Sequence, residues 1–193
     1  MGLKANSMRK TLGVLSPFIF ILILFACKKS GTGASQGLSG TWAFLGMHTQ
    51  TQTTSNVGGG VTLVANTTYN TKNNVGTITF STDSMVISGL GYSVDTSYMA
   101  YFVFNNTVYD SSAQTLSLTI PPTSASAKYQ VVGSDSLYFP GGGILTALDS
   151  SATQGQGSHY VIHGDSLTLT TRGVDTSGGA LTVVNATIHL KRK

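Results

Sequence analysis

The chain has 193 residues, a length that suits one domain. Its seven acidic residues are all Asp, while eight of its eleven Lys and Arg precede residue 30 or form the last three positions. A nucleic-acid binder needs clustered basic charge on its folded body. Residues 30–190 carry three basic residues against seven Asp, so that class is excluded. A single Cys excludes an internal disulfide.

Residues 1–26 have the three parts of an export signal. A basic start is followed by an apolar run over residues 12–25. This run is shorter than a membrane span of about 20 residues and matches the core of a signal peptide. The sequence therefore predicts a cleaved signal peptide over 1–26. The basic residues of its start are Lys4, Arg9 and Lys10.

The signal peptide ends in Leu24-Phe25-Ala26-Cys27, which resembles the lipobox of bacterial lipoproteins. The resemblance implies that Cys27 becomes the N-terminus and carries diacylglycerol, usually with a further acyl chain such as palmitate. Two or three acyl chains hold a protein on a membrane durably. Residues 27–37 then form the lipidated Cys and a flexible Gly/Ser tether. Lys28 and Lys29 stand where many inner-membrane lipoproteins carry Asp, so we expect a lipid-anchored envelope protein of the outer membrane.

From residue 38 onward, short β-like runs alternate with clusters of Gly, Asn, Asp and Ser. Glu, a good helix former, is absent, and Thr, Ser, Gly, Val and Tyr favour strands joined by turns. Residues 38–193 are therefore predicted to form one all-β domain of about ten strands. The predicted strands lie near residues 41–48, 60–69, 75–81, 84–92, 97–104, 115–120, 127–132, 136–140, 158–163, 166–172 and 181–190.

One pattern occurs three times, at residues 80–87, 132–139 and 162–169. Each copy has an apolar residue, two small or polar residues, Asp-Ser, and then apolar residues two apart. Asp and Ser hydrogen-bond the backbone that follows them and so favour turns. The pattern predicts three hairpins in an antiparallel up-and-down meander.

Most predicted strands have one apolar and one polar face, but two depart from this alternation. The last strand changes phase between Val183 and Ile188, which predicts a bulge near Asn185. The run Tyr98–Phe104 is apolar on both faces. Such a strand is covered by a loop or another chain, or it lines a cavity.

The domain opens with Leu38-Ser39-Gly40-Thr41-Trp42. A Gly-x-Trp motif at the first strand resembles the lipocalins, and more closely the lipocalin-like domains of bacterial lipoproteins. The resemblance implies a small closed β-barrel of about 8–10 strands. It also implies that Gly40 and Trp42 are structural, with Trp42 packed across one end beside a basic residue of the last strand, Lys191 or Arg192.

The sequence contains no motif that is typical of a catalytic or metal site. His159 and His163 stand four apart on a predicted strand, about 13 Å at 3.3 Å per residue, too far to share a zinc ion. The runs Gly58–Gly60 and Gly141–Gly143 lack the Lys and Ser or Thr of a phosphate-binding loop. No nucleophile motif occurs. We therefore predict a protein that is not an enzyme and that uses no metal or cofactor.

Two functions remain open. In the first, the barrel binds or carries a small hydrophobic ligand in a cavity. In the second, a filled barrel or sandwich is a non-catalytic structural or interaction module that contacts another envelope protein or a glycan. A cavity favours the first and a contiguous exposed apolar patch the second. The sequence leaves the oligomeric state open. The candidate ligand-lining residues are Trp42, Phe44, Tyr98, Tyr101, Phe102 and Phe104.

Overall fold

The computed structural model describes residues 37–144 and 155–193, all within one compact unit, Gly33–Lys193. The predicted signal peptide, Cys27 and the tether up to residue 36 lie outside the described residues. The described residues form ten strands, all paired antiparallel, and one short 3₁₀ turn, Ser177–Gly179. The all-β antiparallel fold class is confirmed. The strands are β1 (Gly40–Gly58), β2 (Val61–Asn70), β3 (Lys72–Phe80), β4 (Ser84–Phe104), β5 (Thr107–Lys128), β6 (Gln130–Val132), β7 (Ser136–Phe139), β8 (Gln156–His163), β9 (Ser166–Asp175) and β10 (Ala180–Arg192).

The turns lie where the sequence predicts them. The three Asp-Ser segments join β3 to β4, β6 to β7 and β8 to β9, and each pair forms an antiparallel hairpin. The three predicted hairpins are confirmed. The β4–β5 turn uses Asn105 and Asn106, with φ of 48° and 61°. Two consecutive left-handed residues match the right-handed twist of a hairpin, and Asn tolerates that conformation better than most residues.

The strand pairings run around a ring. One edge of β1 pairs with β10, and its other edge pairs with β3 and then with β2. In the same way β4 pairs with β3 and β2 on one edge and with β5 on the other. Pairings from β6 through β7, β8 and β9 return to β10. β5 pairs with β4, and β6 pairs with β7. The two strands follow each other along the chain and are separated only by Tyr129, so they connect the two series of pairings.

Two strands, β1 and β5, are much longer than predicted, and β4 joins the two strands predicted at residues 84–92 and 97–104 into one. β1, β4 and β5 contain 19, 21 and 22 residues. Their extra segments, such as residues 49–58 and 107–114, consist mostly of Thr, Ser, Asn and Gln and lack the apolar alternation that marks a half-buried strand. Backbone hydrogen bonds to neighbouring strands hold these segments in strands, although their side-chain pattern does not predict strands.

The predicted bulge near Asn185 is wrong. β10 pairs with β1 and β9 through this position without any shift of register. The irregularity in the β1–β10 ladder lies at Leu45 instead. Because side chains alternate along an unbroken strand, Leu181 and Val183 face away from Ile188. The apolar residues of β10 therefore lie on both faces of the sheet.

Buried residues concentrate at one end of the sheet, which we call the core end. Its cluster contains Trp42, Phe80, Leu137, Leu167 and Ile188, each at most 1% exposed. The other end, which we call the arm, consists of residues 51–58, 61–67, 97–104, 107–115 and 180–184. Within these segments Ala100 is the one buried residue. The arm extends about 25 Å beyond the core end, at about 3.3 Å per residue.

Candidate binding face

Trp42 closes the core end beside the last strand. Its side chain is fully buried, and its indole Nε1 donates a hydrogen bond to the Leu38 carbonyl oxygen at 2.9 Å. The Arg192 guanidinium lies 4.2 Å from the centroid of the Trp42 ring. Arg192 also donates to the carbonyl oxygens of Gly37 and Ser39. A cation–π contact and two hydrogen bonds thus fix the start of the domain against its C-terminus. Of the two expected basic partners, Arg192 is the one in place, while Lys191 is exposed.

The structure separates the six predicted ligand-lining residues. Trp42 and Phe44 are buried in the core end. Cross-strand pairing aligns Thr53 of β1 with Ala65 of β2 and Ala100 of β4. Paired residues share a face, and so do residues two apart on one strand. Since Thr53 lies on the same face as the buried Thr49, this face continues the core, and we call it the inward face of the arm.

The aromatic residues of β4 fall on both faces of the arm. Tyr98, Phe102 and Phe104 alternate in step with Ala100 and therefore lie on the inward face. Tyr101 pairs with Val64 and lies on the outer face. Tyr98 and Phe102 are half-buried, and Phe104 is 45% exposed. The inward face thus carries an aromatic stripe about 20 Å long, from Tyr98 to Phe104.

Buried polar residues mark the boundary between the core end and the arm. The pairings align Ser158 of β8, Thr171 of β9, Ala186 of β10 and Thr49 of β1 in one row. All four are buried. Gln156, two residues before Ser158, lies on the same face and is 6% exposed. Above the apolar core the inward face therefore begins with hydroxyl and amide groups.

Two of these groups have no hydrogen-bond partner among the described residues, namely Thr49 Oγ1 and Gln156 Oε1. Thr49 is 1% exposed. Leaving a buried polar atom unpaired costs about 1–3 kcal/mol, and such atoms in native structures call for an explanation. By contrast, Thr171 Oγ1 donates to the Gly157 carbonyl oxygen at 3.1 Å. The buried polar residues at the base of the inward face therefore include two atoms whose hydrogen-bonding capacity is unused.

The inward face of the arm is nearly uncharged. Thr, Ser and Ala dominate it on β1, β2 and β10. Asp110 of β5 pairs with Phe102, and Asp175 of β9 pairs with Thr182, so the two carboxylates lie on the outermost strands of this face. No Lys or Arg occurs at its positions in the described segments. The positions on this face include Thr51, Thr53, Ser55, Leu63, Ala65, Thr67, Thr96, Tyr98, Ala100, Phe102, Phe104, Ser112, Gln114, Thr182 and Val184.

The outer face of the arm carries exposed apolar side chains among Thr, Ser, Asn and Gln residues. Leu181 and Val108 are 45% and 53% exposed. Met99 and Val174 are exposed as well, and Val64 and Tyr101 are half-buried between them. Neighbouring pairings place several of these residues side by side on one face. The arm is therefore a single sheet layer with accessible side chains on both faces.

Tyr92 lies on β4 in the core end, on the same face as Tyr98. Its ring is tilted against that of Phe44, with centroids 6.3 Å apart. Burial, with a smaller contribution from Tyr69, raises the pKa of Tyr92 to about 12. Desolvation disfavours a charged phenolate. Tyr92 therefore stays neutral and belongs to the packed end rather than to an acid–base site.

The two His residues of β8 are exposed, and His159 Nε2 lies 3.1 Å from Asp135 Oδ2. In the described parts of the chain, no group of three or more His, Cys, Asp or Glu residues is arranged to hold a metal ion. No helix in these same parts is long and apolar enough to cross a membrane.

The comparisons with known proteins add no relative. No family model matches the chain, and neither the curated proteins nor the solved structures contain a significant match. The arguments about function therefore rest on this chain's own residues.

Sequence reasoning did not single out Thr49, Gln156, Ser158 or Thr171. The usable signal was Thr at 49, 51 and 53, every second residue, where a first strand normally carries apolar residues toward its core. That signal becomes meaningful once the pairings show that these side chains continue the face of the core.

Proposed function

We propose that the chain is a lipid-anchored protein of the bacterial cell envelope whose ring of strands closes as a small lipocalin-like barrel and acts as a non-catalytic binding module. The signal peptide (1–26), lipidated Cys27 and outer-membrane location form part of this proposal. One observation carries the binding role: the core end is filled by side chains, whereas the arm leaves a continuous inward face accessible. Small barrels of about eight strands are commonly filled in this way.

The position of the tether supports this function. Gly37 is held by Arg192 at the core end, ten residues after Cys27. β1 starts at this end, and its 19 residues lead through the core end into the arm, a total of about 60 Å at full strand rise. The proposed tether therefore joins the domain at the core end, and the tip of the arm lies at the opposite end of β1.

The anchor is tested with the full chain expressed in bacteria that are fed an alkyne analogue of palmitate. We expect the label on the wild-type chain and its recovery in the outer-membrane fraction. The Cys27→Ser variant should lose both the label and the membrane fraction, whereas Ser35→Ala in the tether should keep them. Labelling of Cys27→Ser, or a wild-type chain without label, would refute the lipoprotein assignment.

A hydrophobic carrier is the second candidate function. It is favoured by the aromatic stripe, since Phe102 and Phe104 present apolar surface on the inward face. Native mass spectrometry of the full chain, released from membranes in mild detergent, tests it. A stoichiometric lipid that is lost in Phe102→Ala and kept in Tyr101→Ala would support the carrier. A mass without any adduct, and no uptake of added palmitate, would rule it out.

A further inference from the structure

We propose that the inward face of the arm binds a neutral, hydroxyl-rich ligand, namely a linear oligosaccharide, which deepens the proposed binding function and rests on it. Three independent features of this face support the assignment. They are the unpaired buried atoms at its base, its lack of basic groups, and its aromatic stripe.

The unpaired atoms favour a polar over an apolar ligand. Thr49 Oγ1 is buried and without a partner among the described residues, as is Gln156 Oε1 on the same face. A fatty acid or other apolar ligand packed against this row would leave both atoms unpaired. A sugar hydroxyl both donates and accepts, as does the Thr hydroxyl, so the two can pair in either direction.

The charge of the face argues against anionic ligands. Phosphates and carboxylates are normally held by Arg, Lys or helix N-termini, and the inward positions of the arm carry no basic side chain. Asp110, which pairs with Phe102 on β5, further opposes an anion. Thr, Ser and Gln supply most of the other polar groups of this face, and these neutral groups suit neutral hydroxyls.

The aromatic stripe supplies the apolar half of such a site. Pyranose rings have faces of C–H groups that pack on aromatic rings, while their hydroxyls project sideways. Tyr98 and Phe102 are half-buried on β4, with the small residues Ala65 and Ala100 between them on this face. The ring of Phe102 is tilted against that of Tyr109, with centroids 6.3 Å apart. The stripe runs about 20 Å along the strand, the length of several linked sugar rings, so a linear chain fits it better than a single sugar.

The experiment uses the full lipidated chain in phospholipid nanodiscs and isothermal titration calorimetry. The probes are maltohexaose, cellohexaose and chitohexaose, with palmitate as the apolar comparison. We expect at least one neutral hexasaccharide to bind, and Tyr98→Ala to weaken that binding at least tenfold. Tyr101→Ala on the outer face of the same strand is the matched control and should leave the affinity unchanged.

A second pair of variants separates binding from folding. Thr49→Val removes the unpaired hydroxyl while keeping the shape of the side chain, so it should weaken sugar binding at least fivefold without lowering the urea midpoint of unfolding. Thr54→Val, on the outer face of β1, should change neither measurement. A loss of affinity without a loss of stability is not expected from a residue that only packs.

Each outcome decides a different point. Absence of binding by all three hexasaccharides, or binding that survives both Tyr98→Ala and Thr49→Val, overturns the carbohydrate inference. Binding of palmitate alone, lost in Tyr98→Ala, also overturns it but leaves the binding module in place as a carrier. If no probe binds and the chain self-associates through the arm, both the inference and the proposed ligand-binding role fail.

Discussion

The core end and the arm are built from the same strands yet differ in how their side chains are used. β1, β4 and β10 pass through both regions. At the core end their inward residues are Trp42, Ile87 and Ile188, packed in one apolar cluster. In the arm the corresponding positions of β1 and β10 are Thr53 and Thr182, and their hydroxyls lie 3.2 Å apart.

This difference separates two sources of strand stability. Burial of apolar surface, at about 25 cal/mol per Å², holds the core end. The arm depends on its ladder of backbone hydrogen bonds and on cross-strand pairs that contribute only about 0.2–1 kcal/mol each. We infer that stability concentrates at the core end, while the inward positions of the arm can carry polar side chains at little cost to it.

The largest expected effect comes from Trp42→Ala. Removing a fully buried Trp costs about 3–5 kcal/mol, and it also leaves the Arg192 guanidinium without its ring partner. Tyr101→Ala, in the arm, removes a half-buried side chain and should cost about 1 kcal/mol or less. Urea unfolding followed by circular dichroism measures both. Equal losses of unfolding free energy in the two variants would contradict the view that the core end stabilises the fold and the arm contributes little to its stability.

A smaller effect is expected from Gly76→Ala at the core end. A Cβ at Gly76, where φ is +102°, would lie 2.5 Å from the Gly89 carbonyl oxygen and from Leu90 Cα. Backbone overlap and a disfavoured φ together should cost about 2–4 kcal/mol.

Gly59→Ala is the matched control at the tip of the arm. Gly59 also has a positive φ, +61°, but a Cβ there meets nothing within 4 Å. It should therefore cost about 1 kcal/mol from backbone conformation alone. Similar urea midpoints for the two variants would show that β3 and β4 approach each other less closely than the structure indicates.

The smallest effect concerns Tyr92 at alkaline pH. Its pKa, raised to about 12, exceeds the ordinary value of 10, so the unfolded chain loses this proton first as the pH rises. The stabilisation is present below pH 10 and is lost between pH 10 and 12.

Between pH 9 and 11, wild type should lose about 1 kcal/mol more stability than Tyr92→Phe. Unfolding free energies from urea titrations at both pH values provide the measurement. Identical losses would mean that Tyr92 titrates as an exposed phenol. Tyr129 and Tyr160, whose pKa values are also raised by burial, remain in both proteins and affect them equally.

Local chemistry made much of the fold predictable. The Asp-Ser turns and the all-β class follow from short motifs and composition whose effects are local. The Trp42 contact with a basic residue of the last strand was expected from the resemblance to lipocalins, and Arg192 makes it. The lengths of β1 and β5 were not predictable, because Thr, Ser and Gln form a strand only when a neighbour pairs with them. The supposed bulge near Asn185 failed for a related reason: exposed Leu181 was assumed to face inward.

The candidate site was less accessible to sequence reasoning. Aromatic content identified Tyr98 and Phe102, but the sequence grouped them with Tyr101, which lies on the opposite face. Thr49 and Gln156 are separated by more than a hundred positions and lie on one face because β8, β9, β10 and β1 pair in succession. A polar group becomes noteworthy only once its burial and its missing partner are known.

The contact between Arg192 and Gly37 joins groups 155 residues apart. β1 and β10 are neighbours throughout the core end, so Trp42 cannot be enclosed before the last residues of the chain are available. Domains dominated by such distant pairings fold slowly, in milliseconds to seconds. A chain that leaves the ribosome, or passes through a pore, with its N-terminus first would therefore stay open until Arg192 emerges, and only then enclose Trp42.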